Sequence, residues 1–107
     1  MKTLETLRQQ LSRGEFEFNR HAFRRAVERN SNDMEIRQAG ANAKIIEDYP
    51  DDKYGPSCLV FGLTLARRPL HIQCSYPSRP LVKIITLYEP DPRRWVDFKV
   101  RRPADEQ

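Results

Sequence analysis

The chain has 107 residues, enough for a single domain with one hydrophobic core and too few for two. Apolar residues make up 38% and charged residues 32%, so we expect a small core beneath a heavily charged surface. The net charge of +4 fits a nucleic-acid partner without requiring one. The sequence has no apolar leader and no run of eighteen apolar residues, so we expect a cytoplasmic protein that makes no membrane contact.

Residues 2–12 predict a short amphipathic helix. Its leucines recur at spacings of three and four, at Leu4, Leu7 and Leu11. Gly14 follows as a stop signal. Beyond it, Phe16 and Phe18 alternate around a glutamate, which predicts a brief extended segment before the next helix.

Two further helices are predicted before residue 43. From Arg20 to about Asn30 one side of the helix is apolar, and Asn19 is the predicted N-cap. That apolar side consists of Ala22, Phe23, Ala26 and Val27. Ser31 is the predicted cap of a third short helix that ends at Gly40.

After residue 43 the hydrophobic period changes from about 3.6 residues to 2, which predicts strands. Four segments have this pattern: AKIIEDY, SCLVFGLTL, LHIQCSYP and LVKIITLYEP. Short connections between the last three predict antiparallel neighbours. The predicted fold class is therefore α+β, with two to three N-terminal helices packed on one face of an antiparallel sheet of about four strands. We expect the tail, residues 101–107, to be frayed.

The two cysteines, Cys58 and Cys74, have no metal-ligand spacing and no disulfide framework around them. They are predicted to be buried thiols in a reducing compartment. No phosphate-binding glycine loop, nucleophile elbow or metal-ligand cluster occurs, so we expect neither a metal nor another cofactor.

The turn positions predict a strand register that puts His71 at the centre of a polar sheet face. If ARRP closes the first hairpin, Thr64 lies opposite His71 on the strand before it. If PSRP closes the second hairpin, Thr86 lies opposite His71 on the strand after it, and Tyr88 lies on the diagonal. The face predicted to carry the helices consists of Leu59, Phe61, Leu63, Leu65, Leu70, Ile72, Cys74, Tyr76, Leu81, Ile85 and Leu87. The opposite face collects Gly62, Thr64, His71, Gln73, Ser75, Thr86 and Tyr88 around Val60, Val82 and Ile84. This register places Lys83 on the core side, so either its chain reaches out at an edge or the second hairpin is displaced by one residue.

The polar face has two interpretations. It is either a shallow groove that serves as a functional site or an open, solvated surface on which His71 bonds a threonine hydroxyl. Both make His71 an outward-facing residue, so we expect His71→Ala to leave the fold nearly intact. Ile72→Ala, as a core truncation, is expected to cost about 2 to 5 kcal/mol.

The segments FNRHAFRRAVERN, ANAKIIEDYPDDKYGPSCLVFG, RPLHIQCSY and KIITLYEPDPRRW lie within about residues 16–98. They resemble a family of small bacterial domains of unknown function related to the BrnT and RelE-like toxin superfamily, whose genes often lie beside a short zinc-finger antitoxin of the MqsA type. The resemblance implies a RelE/BrnT-like fold and a type II toxin that inhibits translation as a metal-independent ribonuclease. The implied partners are RNA, free or on the ribosome, and a cognate antitoxin. A non-catalytic RNA- or protein-binding module of the same fold is the alternative.

Metal-independent RNA cleavage needs a base, an acid and cations around the phosphate. His71 is the candidate base or acid, because its ordinary pKa lies near neutrality. Tyr88 could donate a proton or stack on a base, and Arg79 could bind phosphate or be an ordinary turn residue. The candidate RNA-binding residues are Arg93, Arg94, Gln73, Lys83 and Arg25.

A second candidate histidine, His21, lies in the first turn of the second predicted helix, where a bland surface role is the alternative. The same helix carries four arginines, Arg20, Arg24, Arg25 and Arg29. Such a basic face could bind RNA, pair with an acidic antitoxin or simply be solvated.

Overall fold

The computed structural model describes residues 2–28, 32–53, 55–76 and 81–103. Its helices are α1 (Lys2–Ser12), α2 (Arg20–Glu28) and α3 (Asp33–Ala41). Its strands are β1 (Phe16–Phe18), β2 (Lys44–Tyr49), β3 (Ser57–Leu63), β4 (Pro69–Ser75), β5 (Val82–Tyr88), β6 (Trp95–Val96) and β7 (Val100–Arg101). The fold class is α+β, as predicted. No described helix has the length and apolar character needed to cross a membrane.

The main sheet has five strands in the order β1-β5-β4-β3-β2. Strands β2 to β5 are antiparallel neighbours, but β1 pairs parallel to β5, with Phe16 beside Val82 and Phe18 beside Ile84. The sheet is therefore mixed and has one strand more than the four that were predicted. The alternation around Glu17 correctly indicated extended backbone, but a pairing with a strand so distant in the chain leaves no local sequence signal.

All three helices contribute to one core on one face of the sheet. The buried cluster contains Leu7, Leu11, Phe16, Ala22, Ala26, Ile36, Ala43, Cys58, Val60, Ile72, Cys74, Val82, Ile84 and Leu87. Cys58 and Cys74 are buried free thiols, and they are direct cross-strand partners on β3 and β4.

The helix ends follow cap chemistry. The Asn19 side chain accepts a hydrogen bond from the Ala22 backbone at 2.7 Å, so the predicted cap of α2 is correct. The cap of α3 is Asn32, whose side chain accepts from the Glu35 backbone while the Glu35 carboxylate accepts in return. Ser31, the predicted cap, lies outside the described residues.

The sequence predicted that α3 ends at Gly40. This glycine instead lies inside the helix and is buried. A Cβ at this position would lie 2.3 Å from the Cβ of Leu11, so the glycine is what allows α1 and α3 to pack closely. The helix continues to Ala41, and the backbone N–H of Asn42 closes its last turn.

The predicted register of the first hairpin is wrong by three residues. Phe61, rather than Thr64, lies opposite His71. Two local features account for the shift. Thr64 closes a longer loop by accepting the backbone N–H of Arg68 on its hydroxyl at 3.0 Å. Gly62 must face the helices, because a Cβ there would lie 2.0 Å from the Ala39 carbonyl oxygen.

An odd-numbered shift exchanges the two faces of β3. Val60 joins the core, while Leu59 and Phe61 lie on the His71 side of the sheet. Leu65, predicted to be in the core, is 82% exposed.

In the second hairpin Tyr88, rather than Thr86, lies opposite His71, so the predicted register is wrong by two residues there; a β-bulge between the Gln73 and Cys74 pairs reduces the difference to one. Ile84 therefore lies opposite Cys74 and enters the core in place of Ile85, and Lys83 is exposed. The displaced register was one of the two solutions anticipated for Lys83.

Candidate functional site

His71 is fully buried, at 0% exposure, although the sequence predicted it to face an open groove. The C-terminal segment that follows β5 covers it. The indole of Trp95 meets the imidazole edge to face with ring centres 4.4 Å apart, and Phe61 and Tyr88 flank the ring at 5.9 and 5.2 Å. The predicted groove is therefore occupied by the chain's own hairpin, β6–β7.

Both imidazole nitrogens of His71 have protein partners. Nε2 lies 2.5 Å from the Phe98 carbonyl oxygen, which can only accept, so Nε2 carries the proton. Nδ1 then has no proton, and it accepts a hydrogen bond from the Tyr88 hydroxyl, whose oxygen lies 3.2 Å from it. Burial lowers the pKa of His71, and the Phe98 carbonyl opposes that effect. The imidazole is thus held neutral in one tautomer.

The hairpin that covers His71 has strained backbone at its turn. Asp97 and Phe98 have φ values of 52° and 62°, in the left-handed region that side chains rarely adopt. The Lys99 backbone N–H donates to the Val96 carbonyl oxygen at 3.0 Å and closes the turn. Contacts made by Phe98 hold the strained conformation: its ring lies 6.1 Å from the Phe61 ring, and its carbonyl accepts from His71.

Arg101 anchors the other arm of the hairpin. Its Nε donates to the Glu47 carboxylate at 2.8 Å, and its guanidinium lies 4.6 Å from the Trp95 ring centre. The second Glu47 oxygen accepts the Tyr49 hydroxyl. Burial first, then this carboxylate contact, raises the pKa of Tyr49 to about 12. The edge strand β2 is thereby tied to the C-terminal hairpin.

An open pocket of about 380 Å³ lies beside the buried histidine. Its lining consists of Tyr88, Glu89, Asp91, Arg94, Trp95 and Arg101. Tyr88 joins the two environments, since its hydroxyl bonds His71 and its side chain lines the pocket. Burial raises the pKa of Tyr88, so the phenol stays protonated at neutral pH.

The lining of this pocket has two carboxylates and two guanidinium groups, and three of these four are paired, Arg101 with Glu47. Glu89 is paired with Arg68 at 2.8 Å, and Asp91 with Arg93 at 3.0 Å. Within the described ranges, Arg94 forms no salt bridge. We name this group the Tyr88 pocket and use the name for its six lining residues.

The structure brings together three of the predicted site residues: His71, Tyr88 and Arg94. Arg93 is close in sequence, but its side chain is 89% exposed and bonds Asp91. Gln73 lines a separate depression with Arg101 and donates to the Ser57 hydroxyl at 3.2 Å.

The remaining candidates lie apart from the Tyr88 pocket. Lys83 is exposed near the other end of β5. His21 and Arg25 lie on α2, on the helical side of the sheet, and line a small depression of their own. Arg79 lies outside the described residues.

The sequence analysis did not identify Trp95, Arg101 or Glu47 as site residues. Arg101 was assigned to the frayed tail, although it belongs to β7. The only available signal was the lone tryptophan close to the C-terminus, a large apolar residue that has to be covered by something.

Together these residues can move a proton and hold a phosphate. Tyr88 and His71 form a hydrogen-bonded pair open to the pocket at one end, and Arg94 and Arg101 supply guanidinium groups. Among the residues that the structure describes, no three His, Cys, Asp or Glu side chains gather as a metal site would require.

The fold thus defines an α+β protein whose C-terminal hairpin covers one face of the sheet. Residues 18–89 match the family model described as "Domain of unknown function (DUF4258)", and the chain belongs to that family. The matched region contains α2, α3, the main sheet strands β2–β5 and the site residues Glu47, His71, Tyr88 and Glu89. Comparisons with curated proteins and with solved structures gave no match.

Proposed function

We propose that this protein is the toxin of a type II toxin–antitoxin pair and cleaves RNA in the Tyr88 pocket without a metal. The observation that carries the proposal is the Tyr88–His71 pair, which opens into a pocket lined by Arg94 and Arg101. The resemblance of the sequence to BrnT and RelE-like toxins supports the same conclusion, and an antitoxin of the MqsA zinc-finger type is the proposed neutralising partner.

In the proposed reaction, His71 acts as the inner end of a proton relay. The Tyr88 oxygen accepts the proton of a ribose 2′-hydroxyl while passing its own proton to Nδ1 of His71. The 2′-oxygen forms a bond to the adjacent phosphorus, and the bond to the 5′-oxygen breaks. Solvent, which reaches this open pocket, protonates the departing oxygen. The product is a 2′,3′-cyclic phosphate, and the imidazolium returns its proton through Tyr88 to the hydroxide that the solvent donor has become.

This relay fits a buried histidine. A direct base must touch its substrate, which a fully buried imidazole cannot do, whereas Tyr88 is partly exposed. Burial and, to a smaller extent, Arg101 lower the pKa of His71 and oppose a transient imidazolium, while the Phe98 carbonyl on Nε2 and the nearby charge of Glu47 favour it. Arg94 and Arg101 would bind the phosphate and the negative charge that develops on it.

The second candidate function is a non-catalytic RNA- or protein-binding module. It is favoured by the same burial of His71, because an imidazole with both nitrogens bonded to protein is also what a purely structural histidine looks like. In that case the Tyr88 pocket binds a phosphate or carboxylate and performs no reaction.

The test measures cleavage of a 5′-labelled RNA by purified protein in the presence of EDTA. We expect products with cyclic phosphate ends, and no cleavage after a nucleotide whose ribose lacks the 2′-hydroxyl. Tyr88→Phe keeps the ring and removes the relay, so it should lower the rate about 10²- to 10⁴-fold. Tyr76→Phe is the matched control, because this tyrosine packs against the core and bonds Asp48 instead.

A wild-type protein that binds RNA without cutting it would overturn the catalytic proposal in favour of the binding module. Equal cleavage by wild type and Tyr88→Phe would remove the reaction from this pocket. In cells, induction of the wild type should slow growth and bulk translation, whereas an equal amount of soluble Tyr88→Phe should not.

A further inference from the structure

Helix α2 carries two large apolar side chains on its outer surface. Phe23 is 59% exposed and Val27 is 66% exposed, although both were predicted to face the core. Only the small residues Ala22 and Ala26 are buried, which lets the helix lie close to β5. Core packing therefore accounts for the two alanines and not for the exposed ring.

The exposed ring has a defined position. Phe23 meets Phe18 edge to face, with ring centres 6.3 Å apart and an angle of 69° between the ring planes. Phe18 in turn contacts Phe16, which belongs to the core. A ring that is held from one side and exposed on the other can receive a stacked base without losing much side-chain freedom.

Two exposed arginines lie to one side of this ring on the surface of α2. Arg20 and Arg24 are exposed and lie one turn apart on the row next to Phe23. Neither these two nor Arg25 forms a salt bridge within the part of the chain that the structure describes.

A depression of about 290 Å³ lies further round α2, on the side away from Phe23, and Arg24 lies between the two. It is lined by His21, Arg24, Arg25 and Glu28, so two of its four side chains are guanidinium groups. Guanidinium forks around a small concavity match the geometry of a phosphate group.

We propose that the outer face of α2 is a second nucleic-acid contact, in which a base of single-stranded RNA stacks on Phe23 and the flanking phosphates bind Arg20 and Arg24. An exposed ring beside guanidinium groups is a combination that binds single strands without sequence preference. This inference rests on the proposed function, because it assigns a contact for the same RNA. It lies on the helical side of the sheet, so it would hold the strand at a distance from the Tyr88 pocket.

The test measures the affinity of a fluorescent, non-cleavable 2′-O-methyl RNA of twelve nucleotides by anisotropy at several salt concentrations. Phe23→Leu keeps an apolar side chain and removes the stacking ring, and we expect it to weaken binding about 5- to 100-fold. Arg24→Gln should weaken binding and reduce the salt slope by about 0.7. Arg13→Gln, which removes an exposed arginine from the end of α1, is the matched control and should leave the slope near the wild-type value.

Wild-type affinity in Phe23→Leu, or equal effects of Arg24→Gln and Arg13→Gln, would overturn the inference. Tight binding of a glutamate-rich peptide that survives Phe23→Leu would also overturn it and identify the face as a surface for an acidic protein. Because the probe cannot be cleaved, its binding does not depend on the reaction in the Tyr88 pocket. If the wild-type protein binds RNA through α2 but does not cleave it, the contact on α2 stands and only the proposed catalysis is refuted.

Discussion

Acid should destabilise this protein through His71. Burial lowers the pKa of the folded-state imidazole below its ordinary value of about 6.5. Above pH 6.5 the His71 imidazole is unprotonated in both the folded and the unfolded chain, so the stability that it contributes in its neutral form is fully present. Below that pH the unfolded chain takes up a proton that the folded chain resists, so the free energy of unfolding falls until the lowered folded-state pKa is passed. One proton corresponds to at most about 1.4 kcal/mol per pH unit, or up to about 2 kcal/mol between pH 6.5 and 5.

The assay is urea unfolding at a series of pH values, monitored by tryptophan fluorescence. The chain has a single tryptophan, Trp95, and its ring lies 4.4 Å from the His71 ring, so the signal reports on the covered histidine itself. His71→Gln should lower stability at pH 7.5 and abolish most of the slope between pH 6.5 and 5. His21→Gln, the same change at an exposed histidine, should retain the wild-type slope. A slope that survives in His71→Gln would refute the assignment of acid sensitivity to this residue.

Three further substitutions test the packing by urea unfolding. Ile72→Ala should cost about 2 to 5 kcal/mol, because the side chain is fully buried in the core; a cost below 1 kcal/mol would contradict the face assigned to β4. Gly62→Ala should destabilise by several kcal/mol, since its Cβ would lie 2.0 Å from the Ala39 carbonyl oxygen, and a neutral outcome would refute the register of β3. Arg101→Gln removes a partly exposed ion pair and the cation–π contact with Trp95, so it should lower the free energy of unfolding by only about 1 kcal/mol. It should also speed proteolysis of the C-terminal hairpin, and an unchanged proteolysis rate would argue against this anchor.

The local elements of this fold could be predicted from the sequence. The bounds of α1 follow from the spacing of its leucines, and the start of α2 follows from the Asn19 cap. Both signals are visible in a single sequence. The strand positions were also indicated by the change of period after residue 43. The sequence did not indicate that β1 pairs with β5, because several strands could have been its partner. It did not indicate Asn32 as the cap of α3 either, because the adjacent Ser31 was an equally suitable cap residue.

The register failed for a physical reason. A turn sequence such as ARRP permits several loop lengths, and Thr64 selects a longer one through its hydroxyl bond to the Arg68 backbone. The contact between Gly62 and the Ala39 carbonyl then fixes which face of β3 meets the helices. Neither constraint can be seen until α3 and β3 are placed together in space.

The site was predicted in part. The sequence placed Tyr88 on the diagonal from His71, whereas it lies directly opposite and its hydroxyl contacts the imidazole. The residue that hides His71, Trp95, comes after the sheet in the chain, where the sequence pattern predicted only a turn and a tail.

That cover changes the chemistry that His71 can perform. An exposed imidazole could exchange protons with any substrate, but this one can exchange them only through Tyr88 or after the hairpin has moved. The two routes differ in their dependence on the hairpin. A relay requires the cover to stay closed, because Phe98 holds the reactive tautomer. Phe98→Ala loosens the hairpin by removing its ring contact with Phe61 and leaves the pocket lining unchanged, so it should slow cleavage. A direct route through an opened hairpin would instead be accelerated by the same substitution, provided that RNA still binds.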